Sequence, residues 1–222
     1  MSTNVGVVMF PGTNCEQDVA WAVEVLGGAP ELLWHGDRTV GASDAVVIAG
    51  GFAHGDYLRT GAIARFSPVM DAVADFARAG GPVVGICNGF QILCEAGLLA
   101  GALQKNAGLK FRCETVALRV ETTSTVLTRN AERGQILRIP INHFEGNFVC
   151  DEGTLKGLQE NDQIVLRYVE NPNGSLDDIA GICNEGRNVV GLMPHPERAS
   201  EAILGSTDGA VLLGSLLTGT GL

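Results

Sequence analysis

One cysteine of this chain lies in a local sequence that suits nucleophilic chemistry. Cys87 is the centre of GICNG, residues 85–89, with a glycine two positions to either side. This G-x-C-x-G pattern is the thiol version of the nucleophile elbow, in which a strand ends in a sharp turn and a helix begins. The glycines relieve crowding, and a helix N-terminus favours the thiolate. The pattern predicts a nucleophile, and a packing cluster of glycine and cysteine is the alternative.

A nucleophilic thiol needs a base, and the segment MPHPE, residues 193–197, supplies one. His195 lies between two prolines that restrict its backbone. Glu197 can accept a hydrogen bond from Nδ1 of the imidazole, which would leave Nε2 facing the thiol. A rigid exit from a strand with a solvated glutamate is the alternative for this segment taken alone. The remaining histidines are expected to be hydrogen-bonding or surface residues: His35, His54 and His143.

An acyl-transfer site also needs hydrogen-bond donors for the oxyanion. The backbone N–H of Asn88, inside the elbow, is one candidate. The second is expected in the loop Gly50, Gly51 and Phe52, because open α/β sheets bind ligands at the carboxyl ends of their strands. Glycines let backbone N–H groups approach a substrate closely, although a tight exit turn is the alternative.

The elements that must position these groups are visible as short apolar runs. Near-continuous runs of this kind are typical of strands in a parallel sheet that is covered on both faces. Two helix starts are indicated, a capping box at Asn14-x-x-Gln17 and a cap followed by proline at Ser67-Pro68. The order of strands and helices predicts a doubly wound, mainly parallel α/β sheet. The predicted strands are residues 5–10, 31–35, 45–49 and 82–86.

The pattern changes in the second half of the chain. Residues 111–148 alternate apolar and polar positions, which indicates antiparallel strands. Further strands are predicted at residues 163–169 and at 179–183 and 189–193, and a helix at 207–217. No repeat or linker is evident, so we expect a single domain over residues 1–222 with an antiparallel β-rich excursion.

Charge and hydropathy narrow the range of partners. The 222 residues carry a net charge of −10, and the sequence pI is about 4.8. Such a chain is poorly suited to neutralise phosphates, so neither nucleic acid nor an anionic membrane is an expected partner. The N-terminus lacks a signal-peptide pattern, and no run approaches the roughly 20 apolar residues that a membrane helix needs.

Cysteine and histidine spacing bears on metals and on the compartment. The six cysteines are too sparse for a disulfide scaffold and form no C-x-x-C pair. The four histidines fall in no ligand pattern, so no metal site is expected. A reducing cytoplasm is the simplest compartment. Most cysteines of such a protein are core residues, and Cys94 is expected to be one.

Cys87, His195 and Glu197, in this order, resemble the triad of the class I glutamine amidotransferases. Longer segments resemble one branch of that family, the glutaminase subunits of phosphoribosylformylglycinamidine synthase. The similarity covers essentially the whole chain and implies a flavodoxin-like fold. Phe144 stands where that branch commonly has a small residue. The segments are GGFAHGDYLRTGAIARF, GICNGFQIL, LKF, EGNF, MPHPER and LGSTDG.

The resemblance implies an activity and a set of partners. L-glutamine would be hydrolysed to L-glutamate and ammonia through a thioester on Cys87, and His195 would protonate the departing ammonia. The ammonia would pass to a separate synthase subunit, which converts formylglycinamide ribonucleotide to the amidine in de novo purine biosynthesis. A small third subunit is expected in the assembly. No cofactor is expected in this subunit, because ATP and Mg would be used by the partner synthase.

Further site residues follow from the same resemblance. Asn88 and Gly51 N–H groups would stabilise the oxyanions, while Gln91 and the backbone near Phe52, Asn142 and His143 would hold the amino acid end of glutamine. Two other classes stay open: a non-catalytic interaction subunit of the same assembly, and an elbow-cysteine peptidase, small-aldehyde hydrolase or redox protein. Two basic residues are either a partner contact or a solvated face: Arg59 and Arg65.

Overall fold

The apolar runs of the sequence alternate with helices in the computed structural model, which describes residues 2–218. The strands in this range are β1 (Asn4–Met9), β2 (Ala29–Trp34), β3 (Ala45–Ile48), β4 (Val83–Ile86), β5 (Ala102–Gln104), β6 (Arg112–Val120), β7 (Ile136–His143), β8 (Asn147–Val149), β9 (Ile164–Tyr168), β10 (Ile179–Cys183) and β11 (Val189–Leu192). The helices are α1 (Glu16–Val25), α2 (Pro68–Arg78), α3 (Asn88–Glu95), α4 (Glu152–Glu160) and α5 (Asp208–Thr218). Within residues 2–218, no helix has the length and apolar character needed to cross a membrane.

One large sheet runs through the molecule in the order β2-β1-β3-β4-β11-β10-β9-β6-β7. The first five strands of this order are parallel, which is the arrangement of a flavodoxin-like sheet. The remaining strands pair antiparallel and extend the same sheet. A small antiparallel pair, β5 with β8, lies apart from it. The α/β class, the doubly wound parallel part and the antiparallel excursion are therefore confirmed.

The central strands form because their residues are apolar on both faces. Every residue of β3, β4 and β11 is buried, as expected for parallel strands covered by helices on both sides. In contrast, β7 alternates exposed or half-buried residues with fully buried ones, which is typical of a strand with one covered face. The alternation predicted within residues 111–148 thus corresponds to the antiparallel edge of the sheet formed by β6 and β7, whereas β10 is antiparallel but fully buried.

Some local predictions were wrong. Helix α1 begins after Cys15, whose side chain makes no capping hydrogen bond, so Asn14 and Gln17 do not form a capping box. Strands β5 and β8 and helix α4 were not anticipated. Helix α4 contains two glycines in nine residues, which weakens a helical pattern, and Asp151 caps its first turn by accepting from the N–H of Thr154.

The parallel strands all end at one edge of the sheet. Because β1, β3, β4 and β11 lie side by side and run in one direction, the loops after Met9, Ile48, Ile86 and Leu192 come together there. These loops carry every residue of the predicted catalytic triad. This is the edge at which open α/β sheets bind ligands.

Candidate active site

Cys87 occupies a strained turn between β4 and α3. Its φ of 53° and ψ of −105° lie in a region that L-residues other than glycine rarely adopt. The backbone N–H of Cys87 donates to the carbonyl of Leu192, and its own carbonyl accepts from Gln91, so strand β11 and helix α3 both hold the turn. Such a turn raises the side chain clear of the sheet at the start of a helix, as the elbow pattern predicts.

The two glycines of the elbow are required by close packing. A Cβ on Gly85 would lie 2.6 Å from the backbone of Gly89. A Cβ on Gly89 would lie 2.0 Å from the carbonyl oxygen of Ile48, at the end of β3. No side chain fits at these separations, so the first turn of α3 contacts two strand ends directly. The glycines therefore allow the turn that holds Cys87.

His195 and Glu197 form a buried pair beside the elbow. Nδ1 of His195 donates to Oε1 of Glu197 over 2.6 Å, and both side chains are fully buried. The backbone N–H of His195 donates to the carbonyl of Pro140, so strand β7 fixes this segment. In residues 2–218, Nε2 of His195 has no hydrogen-bond partner. With Nδ1 engaged, Nε2 is the nitrogen left to exchange a proton.

The electrostatic surroundings favour a charged imidazole. Burial by itself would lower the pKa of His195, but the carboxylate of Glu197 and the sulfur of Cys87 outweigh it and raise this pKa well above its usual value. The charged imidazole, oriented by Glu197, therefore lies beside the sulfur of Cys87.

The second loop of the site, at the end of β3, packs against the triad. Gly51 has a φ of 146°, and a Cβ there would lie 2.7 Å from the backbone nitrogen of Asn14. Gly50 packs in the centre: a Cβ on it would lie 2.9 Å from Cε1 of His195 and 3.5 Å from Cβ of Cys87. Glycine at both positions thus brings backbone next to the nucleophile.

The backbone hydrogen bonds of this loop distinguish its N–H groups. The N–H of Phe52 donates to the carbonyl of Gly12, and the carbonyl of Gly50 accepts from the N–H groups of Asn14 and Cys15. The N–H of Gly51 lies outside these bonds. The N–H of Asn88 is in the first turn of α3, where amides have no intrahelical acceptor. Gly51 and Asn88 therefore suit the oxyanion role better than Phe52 does.

The side chain of Asn88 has a further role that the sequence did not reveal. Its Oδ1 accepts from the N–H of Ala53 at 3.0 Å, and its Nδ2 donates to Asp56 at 3.2 Å and to Gln91 at 2.9 Å. Gln91 then donates to the carbonyl of Glu145. One buried network thus ties α3 to the segment 52–56 and to the opposite wall.

A pocket of about 330 Å³ opens onto the triad. Cys87 and His195 line this pocket, and the segment that follows β7 forms one of its walls. The thiol of Cys87 is 3.8 Å from the carbonyl oxygen of Asn142. Three predicted site residues are outside the lining: Gly50, Asn88 and Glu197. The other seven line the pocket: Gly51, Phe52, Cys87, Gln91, Asn142, His143 and His195.

His143 lines the pocket and helps to hold its wall in place. Its ring is buried, Nε2 is 3.1 Å from Nδ2 of Asn173, and a Cβ on Gly146 would lie 2.2 Å from the ring. Burial and the charge of His195 lower the pKa of His143 to about 3, so this imidazole is neutral. The adjacent Phe144 lines the pocket directly.

Two carboxylates in the lining were missed by the sequence analysis. Asp56 and Glu145 face the same pocket, and burial together with the charge of Glu145 raises the pKa of Asp56 to about 6 despite a hydrogen bond from Asn88. The GDYLR segment that contains Asp56 was noted for its resemblance alone. Its turn places Asp56 at a φ of 52°, which no periodicity indicates.

Arg59 and Arg65 both contact the end of α3. Arg59 forms a two-pronged ion pair with the carboxylate of Glu95, with both distances 2.6 Å, and Arg65 donates to the carbonyl of the same residue. These bonds tether the segment between the two arginines to the helix that begins after Cys87. The contacts give both side chains a structural role whatever else they bind.

Cys15 is the neighbour of the triad that the sequence analysis overlooked. It is 2% exposed, and its sulfur lies 3.2 Å from a guanidinium nitrogen of Arg198. It ends the loop after the first strand of the chain, β1, and loops after parallel strands meet at one edge of the sheet. That position was the available signal. Cys94, in contrast, packs against the core with its thiol donating to the carbonyl of Ala100, as expected for a core thiol.

Comparison with known proteins shows the family to which the chain belongs. A family model described as "CobB/CobQ-like glutamine amidotransferase domain" matches residues 2–208. A protein of Rubrobacter xylanophilus named phosphoribosylformylglycinamidine synthase subunit PurQ is 57% identical over 215 residues, which are 97% of this chain and 98% of that protein. The protein of the same name from Koribacter versatilis is 54% identical over 222 residues, with 96% of each chain covered.

Solved structures agree in fold. A chain in the structure of PurLQS from Thermotoga maritima superposes with a TM-score of 0.91 at 42% identity, covering 98% of this chain and 99% of that one. A glutamine amidotransferase of the same organism has a TM-score of 0.61 at 15% identity and covers 99% and 98%. The second comparison bears on the fold alone.

Proposed function

The chain belongs to the family of CobB/CobQ-like glutamine amidotransferase domains, and on this basis we propose that it is the glutaminase subunit of a phosphoribosylformylglycinamidine synthase. It hydrolyses L-glutamine to L-glutamate and ammonia for use by a synthase subunit. The observation that carries the proposal is the strained elbow at Cys87 beside the buried His195 and Glu197 pair. The near-complete relatives named PurQ support the same assignment.

The geometry suits acyl transfer through a thioester. The thiolate of Cys87 attacks the carboxamide carbon, and the N–H groups of Asn88 and Gly51 stabilise the oxyanion. His195 gives its Nε2 proton to the departing ammonia, and then takes a proton from water, which hydrolyses the thioester. Glu197 keeps the imidazole oriented throughout. Each oxyanion donor contributes typically about 3 kcal/mol to such a transition state.

The pocket lining suits the amino acid end of glutamine. Gln91 and the backbone carbonyl groups near Asn142 present polar atoms, and the carboxylates of Asp56 and Glu145 carry the charge that an α-ammonium group prefers. Lys105, also in the lining, carries the charge that an α-carboxylate prefers. A zwitterionic substrate therefore finds both signs of charge in the pocket.

The partners and compartment are part of the proposal. A separate synthase subunit receives the ammonia and uses ATP and Mg, a small third subunit completes the assembly, and this subunit itself needs no cofactor. The similar Thermotoga maritima chain comes from a structure of PurLQS, which supports a multi-subunit assembly. The cysteines within residues 2–218 are free thiols, which suits a reducing cytoplasm.

Replacing the nucleophile tests the proposal. In the assembled complex, Cys87→Ala is expected to lower glutamine-dependent synthesis at least about a thousandfold, because the thioester cannot form. Synthesis from added ammonium is expected to continue, since the synthase subunit is intact. Cys94→Ala, at the other end of the same helix and outside the pocket, is the matched control and should retain glutamine use. Full glutaminase activity in Cys87→Ala would refute the nucleophile assignment.

Covalent labelling separates this function from the alternatives. A glutamine-analogue chloroketone is expected to modify Cys87, and glutamine should protect it, because both bind the same pocket. A redox protein or peptidase built on the same elbow would be labelled without protection by glutamine. A non-catalytic subunit would form no thioester with labelled glutamine in the complex. Peptide mass spectrometry identifies the modified residue.

A further inference from the structure

A second thiol, that of Cys15, lies close to the proposed base His195 and its orienting carboxylate Glu197. The sulfur of Cys15, an imidazole nitrogen of His195 and a carboxylate oxygen of Glu197 all lie within 4.8 Å of one another, and all three side chains are buried. Thiolate, imidazole and carboxylate are the three ligand types that proteins use for zinc. The mechanism given above uses His195 and Glu197 but gives Cys15 no part.

One oxygen of this cluster lacks a partner. Oε2 of Glu197 is fully buried and has no hydrogen bond to any described residue. A buried acceptor without a partner costs free energy, and such a group in a native fold usually meets a ligand, an ion or a substrate. No step of the mechanism uses Oε2.

Charge permits a divalent cation at this point. A thiolate and a carboxylate together balance two positive charges. The guanidinium of Arg198 lies 3.2 Å from the sulfur of Cys15. That guanidinium is itself paired with the carboxylate of Asp18 at 3.3 Å, which offsets its repulsion of a cation. The ion would therefore complete a nearly neutral cluster.

The cluster is reachable and close to the required size. Cys15 and His195 both line the pocket, so an ion can arrive by the substrate route. Ligand atoms around a tetrahedral zinc lie about 3.3 to 3.8 Å apart, given metal–ligand bonds of about 2.0 to 2.3 Å. The 2.6 Å between Nδ1 of His195 and Oε1 of Glu197 must open by about 1 Å, and the sulfur of Cys15, within 4.8 Å of both residues, must approach by about 1 Å. The pocket side leaves a fourth position for water.

We propose that Cys15, His195 and Glu197 form an inhibitory site for a thiophilic divalent cation such as Zn²⁺. On binding, the ion takes the place of the thiol proton of Cys15 and of the proton between His195 and Glu197, and these protons pass to solvent. The imidazole is then held as a ligand and cannot act as the base. The ion is no cofactor, because the reaction needs His195 free. The inhibitory consequence rests on the proposed glutaminase function, whereas the metal site does not.

Spectroscopy of the full chain tests the site without reference to activity. Co²⁺ is added in place of Zn²⁺ to the Cys87→Ala variant, which cannot ligate through the nucleophile. A thiolate-to-metal charge-transfer band is expected at one equivalent. The band should disappear on further change of Cys15→Ser, which keeps the size of the side chain but supplies a hard oxygen, and should persist with Cys94→Ala. Circular dichroism checks that each variant is folded.

Two results would overturn the metal site. One is a band that survives Cys15→Ser, since the sulfur ligand would then lie elsewhere, for example at the exposed Cys113. The other is the absence of any band in folded Cys87→Ala, together with no heat of Zn²⁺ binding by calorimetry. Either result leaves the proposed glutaminase function untouched, because neither measures glutamine hydrolysis.

Inhibition of the complex tests the consequence. Glutamine-dependent synthesis by the wild-type complex is expected to fall on titration with Zn²⁺ and to recover on chelation, while ammonium-dependent synthesis is unaffected. In Cys15→Ser the Zn²⁺ concentration for half-inhibition of the remaining glutamine activity should rise by at least about tenfold, the usual result of weakening a metal site. In Cys94→Ala it should not change. Equal sensitivity of Cys15→Ser and wild type would refute the inhibitory role of this site.

Discussion

At the scale of single residues, the chemistry depends on how His195 is held. Its Nδ1 is fixed by Glu197, its backbone N–H is fixed by Pro140, and its Nε2 is left free. The environment keeps the imidazole charged, since the two anionic neighbours outweigh burial and raise its pKa. In the proposed reaction, the same residue acts as proton donor in the first half-reaction and as acceptor in the second.

Glu197→Gln separates orientation from charge. The amide can still contact the imidazole, but it no longer stabilises the imidazolium, so the raised pKa of His195 should fall. We expect kcat to decrease by about 10² to 10⁴, and the alkaline limb of kcat/KM to move to lower pH as the imidazolium is lost earlier. The measurement is a pH profile of glutaminase activity in the complex.

The control for this prediction lies in the same segment. Glu201 accepts a hydrogen bond from Trp21 and is outside the pocket lining. Glu201→Gln keeps an acceptor there and is expected to leave the pH profile unchanged. If Glu197→Gln lowers kcat with no shift of the alkaline limb, the carboxylate does not set the charge state of His195.

Ionisation of Asp56 is expected to destabilise the protein, so the contribution of this residue to stability falls as the pH rises. This is the reverse of the usual behaviour of a carboxylate. Burial raises its pKa to about 6, so the fold favours the protonated form. The penalty for ionising it is absent below about pH 4, grows as the pH rises from 4 to 6, and is complete above 6. Asp56→Asn should therefore stabilise the protein by about 1 kcal/mol at pH 7.5, a figure reduced because the side chain is only half-buried.

Urea unfolding at two pH values measures the predicted stabilisation by Asp56→Asn. The gain in Asp56→Asn is expected at pH 7.5 and should vanish near pH 4, which makes the low-pH measurement its internal control. The neutral amide tolerates the positive φ of this position, as asparagine commonly does. The KM for glutamine is expected to rise, because a carboxylate is lost from the pocket. An equal gain at both pH values would contradict the role of the charge.

At the scale of elements, the site depends on how closely α3 approaches the strands. The helix begins at the elbow, and its first turn contacts the backbone at the end of β3 through Gly89. Its far end is tethered by Arg59 and Arg65 through Glu95. Helix position therefore sets the position of the nucleophile and of the Asn88 network together.

Two glycine variants on different helices test this. In Gly89→Ala the new methyl would lie 2.0 Å from the carbonyl oxygen of Ile48, so α3 must move away. We expect destabilisation of at least about 2 kcal/mol and a large loss of glutaminase activity. Gly157→Ala, on α4, meets nothing within 4 Å and should stabilise by about 0.5 to 1 kcal/mol. Chemical unfolding compares the two, and a neutral Gly89→Ala would show that the contact is not tight.

At the scale of the whole molecule, the antiparallel part of the sheet completes the pocket. The triad comes from the ends of the parallel strands, but the pocket wall follows β7 and is supported by Asn173, in the connection between β9 and β10. The Nδ2 group of Asn173 contacts the ring of His143 and the carbonyl of Gly146, and its Oδ1 accepts from Ser175. Residues 30 positions apart thus form one buried unit.

Asn173→Ala should disturb this wall at a distance from the reacting atoms. Its removal leaves Nε2 of His143 and the backbone N–H of Ser175 without a partner, at about 1 to 3 kcal/mol for each group, whereas the carbonyl of Gly146 keeps its bond from Ser175. We expect reduced stability and a raised KM for glutamine, with kcat less affected because the hydrogen bonds of Asn173 do not reach the triad residues. Asn130→Ala, at an exposed asparagine, should change unfolding by no more than about 0.5 kcal/mol. Unchanged stability of Asn173→Ala would contradict the network.

Local patterns determined which groups can react and what kind of sheet carries them. The elbow around Cys87, the MPHPE segment and the apolar strand runs are properties of neighbouring residues, and each was correctly located because backbone sterics and burial act over a few positions. The assignment of one domain to residues 1–222 and the roles of the triad stay predictions. Helix α4 and the pair β5 and β8 were missed because their sequences are short or rich in glycine.

Only the tertiary structure decided which distant residues meet. Cys15, Asp56, Asn173 and the side chain of Asn88 acquire their contacts from the order of strands in the sheet, and strand order is not written in local periodicity. The charge states of His195 and Asp56 likewise follow from burial and from neighbours far away in the chain. The sequence by itself therefore located the candidate thiol and its candidate base, while packing decided the geometry, the pocket and the second thiol beside them.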